Sequence, residues 1–182
     1  YAGATQDLTL AGTNFLTANL VVNFTQSSDS IDVDVTVTPT SQTAATVTVP
    51  SSVFDNVTAG NVVAVKVTNS DNLSSGIQNI TAIGLPSGGT LTTSGSTRIH
   101  TFTSSGTLTV PSGFSTTSEY LVIAGGGGGG SHVGGGAGAG GMLESTSYTL
   151  SSTQSITIGG GGAGSTDNSG TGGSNGSNTT AF

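Results

Sequence analysis

Cysteine and tryptophan are absent from the 182 residues, and histidine occurs only twice. Without cysteine the chain can form no disulfide, and it has no thiol to act as a nucleophile or a soft metal ligand. The two histidines, His100 and His132, leave few groups that titrate near neutral pH or take up a metal. This composition predicts a protein that is not an enzyme, with no catalytic residues, no cofactor and no metal site.

Basic residues are equally scarce. Lys66 and Arg98 stand against nine acidic residues, which gives a formal net charge of −7. Two cations cannot form a basic patch, so we expect no binding to nucleic acid or to anionic membranes. The longest strongly apolar stretch, 120–124, is far shorter than the roughly 20 residues that cross a bilayer, which predicts no membrane insertion.

Glycine is abundant but unevenly placed, with 10 of its 31 residues in 1–124 and 21 in 125–182. The first part instead alternates apolar and polar residues, as in IDVDVTVT at 31–38 and VAVKVT at 63–68. Such alternation is typical of half-buried strands in antiparallel sheets, and valine and threonine favour strands over helices. The sequence predicts an all-β fold whose short strands form sandwiches.

A change of composition divides the chain. Glycine, serine and threonine dominate 84–96, which we interpret as a linker between a first domain at 1–83 and a second at 97–182. In the second domain, 98–103 and 107–110 flank a glycine turn and predict a short hairpin.

Three further strands are predicted beyond that hairpin. Residues 120–124 are apolar at successive positions, so we expect this strand to lie centrally in its sheet. Residues 148–150 and 155–158 are the other two.

The first domain resembles the IPT/TIG family of immunoglobulin-like β-sandwiches. The resemblance rests on LTLAGTNF at 8–15, on 43–50, which reads TATVTVP with one residue inserted, and on TAGNVVAVKVTNSDNLSSG at 58–76. It implies an immunoglobulin-like sandwich over about 4–83. The strand that precedes the GTNF strand in that family has no counterpart here, so we expect the chain to be a fragment of a longer polypeptide.

The second domain resembles the glycine-rich domain of bacteriophage tail-fibre and related virion proteins. IHTFTSSGTLTVPSG at 99–113, EYLVIAGGGGGG at 119–130 and SITIGGGGAG at 155–164 carry this resemblance. It implies a second β-sandwich with glycine-rich loops, in a structural protein found in the virion or outside the cell. It also implies association with further copies of the chain, as a homotrimer, and with other virion proteins.

The glycine tracts at 125–141, 159–164 and 170–176 allow two interpretations. They are flexible linkers, or they are ordered, extended helices that lie side by side and pair their backbones, and we favour the ordered alternative. A G-x-G-x-x-G match after 120–124 does not indicate a dinucleotide site, because the glycines that follow cannot form the helix that such a site needs. The G-x-S-x-G match at 172–176 likewise lacks the strand and helix of a nucleophile elbow.

Asp29, Asp32 and Asp34 carry oxygen ligands of the kind that calcium prefers. Three carboxylates without a converging loop are few for a site of six to eight ligands. A solvated outer strand face is the favoured interpretation.

Recognition is expected in the glycine-rich loops, because loops on a rigid scaffold carry most binding functions. Hydroxyl, amide and carboxylate groups suit sugar hydroxyls, so host surface glycans are the expected receptors. The competing interpretation is that the same residues only solvate and space the loops. The candidate receptor contacts are Ser131, His132, Val133, Thr166, Asp167, Asn168 and Asn175.

From these resemblances we expect a structural component of a phage virion appendage, a tail fibre or adhesin that contacts the host surface. A virion or capsid decoration protein is one alternative. A binding or spacer module of a bacterial extracellular protein is another.

Overall fold

The computed structural model describes residues 6–167 and 170–182. The chain divides into two compact units, Tyr1–Leu85 and Pro86–Phe182. Strands dominate both units, so the predicted all-β fold is confirmed. Within the described residues, no helix is long and apolar enough to cross a bilayer.

The described residues of the first unit, 6–85, form two sheets. One has the strand order β3-β2-β5-β6, and the other pairs β1 with β4, all antiparallel. The elements in chain order are β1 (Asp7–Ala11), β2 (Leu20–Gln26), β3 (Ile31–Val37), β4 (Ala44–Thr48), α1 (Ser51–Phe54), β5 (Val62–Thr68) and β6 (Gln78–Thr81).

Both sheets contribute to one apolar core. Val22 and Phe24 of β2 are almost fully buried and cluster with Val47 of β4. Period-two alternation brings these side chains to the same face, and each fully buried valine or phenylalanine contributes roughly 1.5–3 kcal/mol. Burial of one face therefore fixes the register of these strands.

The aspartates of the β2–β3 hairpin accept hydrogen bonds from two different parts of the first unit. Asn23 Nδ2 donates hydrogen bonds to Asp32 Oδ1 at 3.0 Å and to Asp34 Oδ1 at 2.8 Å. Asp29 instead accepts hydrogen bonds from residues that lie after α1 in the chain. Among the described residues, no group of three or more potential ligands converges on a metal position.

Asp29 holds the loop between α1 and β5. Thr58 donates its backbone N–H and its hydroxyl to the Asp29 carboxylate, and Asn61 Nδ2 donates a third hydrogen bond, each at 2.9 Å. The Thr58 N–H, followed by the Asn61 amide, lowers the pKa of Asp29 below its ordinary value, because hydrogen bonds to a carboxylate favour its charged form.

In the second unit, the described residues 86–167 and 170–182 form three separate two-stranded antiparallel sheets: β7 with β8, β9 with β12, and β10 with β11. The strands are β7 (Thr90–Ser94), β8 (Thr97–Thr101), β9 (Gly106–Leu108), β10 (Thr116–Ile123), β11 (Met142–Leu150) and β12 (Gln154–Ile156).

The predicted hairpin of 98–103 with 107–110 is wrong. β8 pairs with β7, and β9 pairs with β12, which lies about 50 residues further along the chain. The stretch interpreted as a linker, 84–96, contains the whole of β7. Gly95, with φ of 60°, begins the two-residue loop that joins β7 to β8, as glycine does in a type II′ turn.

The central position predicted for 120–124 is also wrong. In the described part of the chain β10 pairs with β11 alone. Tyr120 lies on the inner face, where its ring stacks on Phe182 with centroids 4.6 Å apart and meets Tyr148 edge-on at 5.7 Å. Leu121 and Ile123 point to the other face and are exposed. The apolar run at 120–124 thus predicted burial on both faces of the strand, whereas the structure covers one face and exposes the other.

Acidification should destabilise the first unit through Asp29. The pKa of Asp29 is lowered on folding, so its stabilising effect is present above the unfolded-state pKa and is lost as pH falls through the folded-state pKa. We expect the unfolding midpoint in urea to fall between about pH 5 and about pH 2, and to fall less in Asp29→Asn. Asp71→Asn removes the same charge from an exposed turn and serves as the control. An equal pH dependence for Asp29→Asn and the unsubstituted chain would contradict this role.

Candidate functional site

The glycine tracts of the second unit are ordered. Four extended segments, 124–131, 135–141, 159–165 and 171–177, lie side by side and exchange backbone hydrogen bonds of 2.8–3.2 Å. We call them the polyglycine bundle. The ordered interpretation of the tracts is therefore the one that the structure has, with the first tract folded back on itself to supply two of the segments.

The segment 124–131 lies at the centre of the bundle and pairs with each of the other three. Every third residue faces the same neighbour: 124, 127 and 130 donate to 135–141, while 125, 128 and 131 donate to 171–177. The carbonyls of 126 and 129 accept hydrogen bonds from 162 and 165. This three-residue repeat is that of a polyproline II helix, which makes no internal hydrogen bonds and must find partners in its neighbours.

The close spacing of the segments requires glycine. A Cβ added at Gly125 would overlap the carbonyl oxygen of Gly160, and one at Gly128 would overlap that of Ala163. The same overlap recurs on the other segments at Gly140, Gly159, Gly162, Gly173 and Gly176. On three of the four segments these positions lie three residues apart, which matches the three-residue repeat of the hydrogen bonds; on 135–141, Ala137 stands three residues before Gly140.

One end of the bundle joins the strands and the other carries turns. The central segment leaves β10 at residue 124 and reaches the far end at Ser131. Seven residues at the polyproline II rise place that end roughly 20 Å from the end of β10. We call the far end the tip, consisting of residues 131–134, 165–167 and 170–171.

His132 and Val133 lie in an exposed turn of the tip. Ser131 and Gly134 close a four-residue turn through the Gly134 N–H and the Ser131 carbonyl at 2.9 Å. His132, inside the turn, has φ of 60°, a left-handed conformation that few non-glycine residues adopt. Val133 is 91% exposed and is the most exposed of the large apolar side chains among the described residues.

Asp167 organises the other side of the tip. Its Oδ1 accepts a hydrogen bond from Ser131 Oγ at 3.0 Å, and its Oδ2 accepts one from Thr171 Oγ1 at 2.7 Å. Ser165 Oγ lies 2.7 Å from Thr171 Oγ1 and 3.3 Å from Asp167 Oδ1, and its single hydrogen serves one of the two at a time. The carboxylate thus joins three segments of the bundle where they end. Ser131 is only 8% exposed, so its hydroxyl group is largely shielded from solvent.

The structure separates the predicted receptor contacts by position. Ser131 and Asp167 belong to the hydrogen-bonded network, whereas His132, Val133 and Thr166 are exposed at the tip. Asn175 is exposed on the segment 171–177, beyond the tip, and Asn168 lies outside the described residues. A role in receptor contact stays a prediction for all of them.

Sequence reasoning missed two members of the network, Ser165 and Thr171. The available signal was the placement of hydroxyl residues on both sides of Asp167, since serine and threonine near a carboxylate often close a loop. The second histidine, His100, is not part of the tip: its Nδ1 lies 2.8 Å from the Gly88 carbonyl oxygen.

Comparison with known protein families gives a match for part of the chain. Residues 100–182 match the family model described as a glycine-rich domain. The comparisons with curated proteins and with solved structures gave no match. The glycine-rich resemblance of the second domain is thus confirmed, while the IPT/TIG resemblance and the phage origin stay predictions.

Alanine should be tolerated in one part of the bundle and not in another. At Gly128 the new methyl group would meet a backbone carbonyl that cannot rotate away, so we expect Gly128→Ala to lower the free energy of unfolding of the second unit by about 2 kcal/mol. Gly136→Ala is the matched control, because a Cβ there meets nothing within 4 Å, and its effect should stay within about 0.5 kcal/mol. Denaturant unfolding measures both variants. Equal effects would contradict the close packing of the segments.

Removal of the Asp167 carboxylate should loosen the tip and leave the bundle intact. In Asp167→Ala the buried Ser131 hydroxyl loses its acceptor, at a cost of roughly 1–3 kcal/mol. We expect amide hydrogen exchange at Ser131 and Gly134 to become at least about fivefold faster, while Gly125 and Gly162 keep their protection. Asp71→Ala, in a turn of the first unit, is the control. A uniform increase over all four amides would show that Asp167 supports the bundle rather than the tip.

Proposed function

We propose that the chain is a non-enzymatic structural component of a phage virion appendage, a tail fibre or adhesin that contacts the host surface with the tip of the polyglycine bundle. The glycine-rich family match of residues 100–182 supports a domain of this kind. The resemblance of the same region to tail-fibre and virion proteins supports the virion, outside the host cell, as its location.

The arrangement of the tip is the observation that carries the proposal. The flanks of the bundle consist mainly of glycine, alanine and serine, which offer a ligand few distinguishing groups. At the tip, by contrast, an exposed imidazole and an exposed isopropyl group stand side by side on His132 and Val133. A rigid support that ends in exposed, chemically distinct side chains is suited to recognition, because little conformational freedom is lost on binding.

The network at Asp167 divides the tip residues into two roles in this proposal. Ser131 and Asp167 hold the two turns together, and His132, Val133 and Thr166 contact the receptor. Imidazole and hydroxyl groups can exchange hydrogen bonds with sugar hydroxyls, and the valine methyl groups can pack on the apolar face of a sugar ring. Host surface glycans are accordingly the proposed receptors, and the first unit is a spacer.

Other virion proteins and further copies of the chain, as a homotrimer, are the proposed structural partners. Nucleic acid is not among the proposed partners, because the chain has two basic residues and a net charge of −7. Membrane insertion is not proposed either, because the longest strongly apolar stretch, 120–124, is far shorter than the roughly 20 residues that cross a bilayer. A virion decoration protein, or a module of a bacterial extracellular protein, would use the same rigid bundle in a different place. An image of the intact particle that locates this chain distinguishes the appendage from both.

Substitution of the exposed tip residues should reduce adsorption to host cells. We expect His132→Gly combined with Val133→Ser, introduced into the full-length protein on the particle, to lower the adsorption rate constant about tenfold or more, since a few central residues carry most binding energy. Ala139→Ser, on the exposed flank of the bundle, is the matched control and should leave adsorption unchanged. Circular dichroism and thermal unfolding of both variants establish that the fold is kept. Unchanged adsorption by a folded tip variant would move recognition to another surface.

A further inference from the structure

The β7–β8 hairpin of the second unit has little cover of its own. Every residue of β7 is exposed, and so are four of the five residues of β8. A two-stranded hairpin is marginally stable in water unless a third strand or another surface packs against it. A stable β7–β8 hairpin therefore requires a covering surface.

One face of the β10–β11 ribbon exposes three large apolar side chains. Leu121, Ile123 and Met142 are 58%, 57% and 65% exposed, and the strand register brings them together, with Ile123 opposite Met142. Glu144 lies opposite Leu121, and Glu119 follows on the same face of β10 by period-two alternation. We call these five residues the acidic–apolar face.

A surface of opposite charge lies on the β7–β8 hairpin. Arg98 supplies the sole strong positive charge of the sequence after residue 85, and it lies opposite Thr93 on β7. Leu91 and His100 form the pair two positions further along the hairpin. Because side chains two positions apart on a strand point to the same side, both pairs lie on one face of the hairpin. We call it the Arg98 face. It combines an exposed leucine with a guanidinium group, and thus complements an apolar surface that is flanked by two glutamates.

We infer that the acidic–apolar face of one copy docks on the Arg98 face of a second copy of the chain. Leucine, isoleucine and methionine side chains of the ribbon cover Leu91 and the hairpin, and Arg98 pairs with Glu119 or Glu144 of the neighbouring copy. The contact is heterologous: each copy keeps one free face of each kind, so that successive copies close a ring or continue as a fibre. The inference rests on the self-association that is part of the proposed function, and it names the surfaces.

Pairing of two acidic–apolar faces with each other is the less favourable alternative. Such a contact would bring the Glu119 and Glu144 carboxylates of both copies around one apolar patch, without a cation in it. Like charges at an interface oppose association, whereas complementary charges select the partner and orientation. Charge therefore favours the heterologous contact.

Sedimentation of the intact chain over a wide range of concentration tests the inference. We expect reversible self-association that weakens at high salt. Arg98→Glu should raise the dissociation constant about tenfold or more. Combining Arg98→Glu with Glu119→Arg and Glu144→Arg should restore it to within about threefold of the original value, because the charges are exchanged between the two faces.

Lys66→Glu makes the same charge change on β5 of the first unit and is the matched control; it should not alter association. All of these charged positions are exposed, so the variants are expected to fold, and circular dichroism verifies this. A chain that is monomeric at every concentration would overturn the inference. So would association that is insensitive to Arg98→Glu, or a charge exchange that fails to restore it. No tip residue is changed, so failure here leaves the adsorption role untouched, and failure of the adsorption role leaves this contact untouched.

Discussion

The second unit depends on the close approach of backbone to backbone in the polyglycine bundle. Its segments have no large side chains with which to form an apolar core, so cohesion comes from hydrogen bonds between neighbours, each contributing about 1 kcal/mol. Those bonds form only if the segments come close enough for a Cβ at Gly125 or Gly128 to collide with a neighbouring carbonyl. Glycine at the positions that face a neighbouring carbonyl is thus a structural requirement, and the position of the tip follows from it.

Strand positions were predicted in both units, although β2, β6 and β7 were missed, whereas the pairing predicted in the second unit was wrong. Burial explains part of this outcome. Where one strand face is buried, as at Val63 and Val65, the alternation is visible in the sequence. The hairpin of β7 and β8 is exposed on both faces, so no alternation distinguishes its threonines and serines from a linker. The pairing of β9 with β12 joins residues far apart in the chain, and local turn signals such as Gly106 cannot reveal it.

The sequence allowed us to predict which segments contain the candidate site, but not which of their side chains contact one another. The residues that interrupt the glycine tracts, among them His132 and Val133, were visible in the sequence because they are neither glycine nor small. The network of Ser131, Ser165 and Thr171 around Asp167 was not, because three segments must first converge before their hydroxyls meet one carboxylate. Composition alone cannot separate flexible from packed glycine, and an uninterrupted run such as 125–130 does not reveal which glycines face a neighbouring carbonyl.

The bundle separates the residues that must be kept from those that are free to change. Along its length, almost any side chain at Gly162 or Gly176 would collide with backbone, so these positions tolerate little variation. At the tip, Val133 packs against little and is 91% exposed, so many side chains can stand there without disturbing the bundle. His132 is more restricted, because its left-handed conformation favours glycine, asparagine or aspartate as replacements. A bundle that is held together by its backbone can therefore carry different side chains at the tip while the sequence along the bundle stays the same. A support with an interdigitated side-chain core offers that separation less readily, because changes near its loops propagate into the packing.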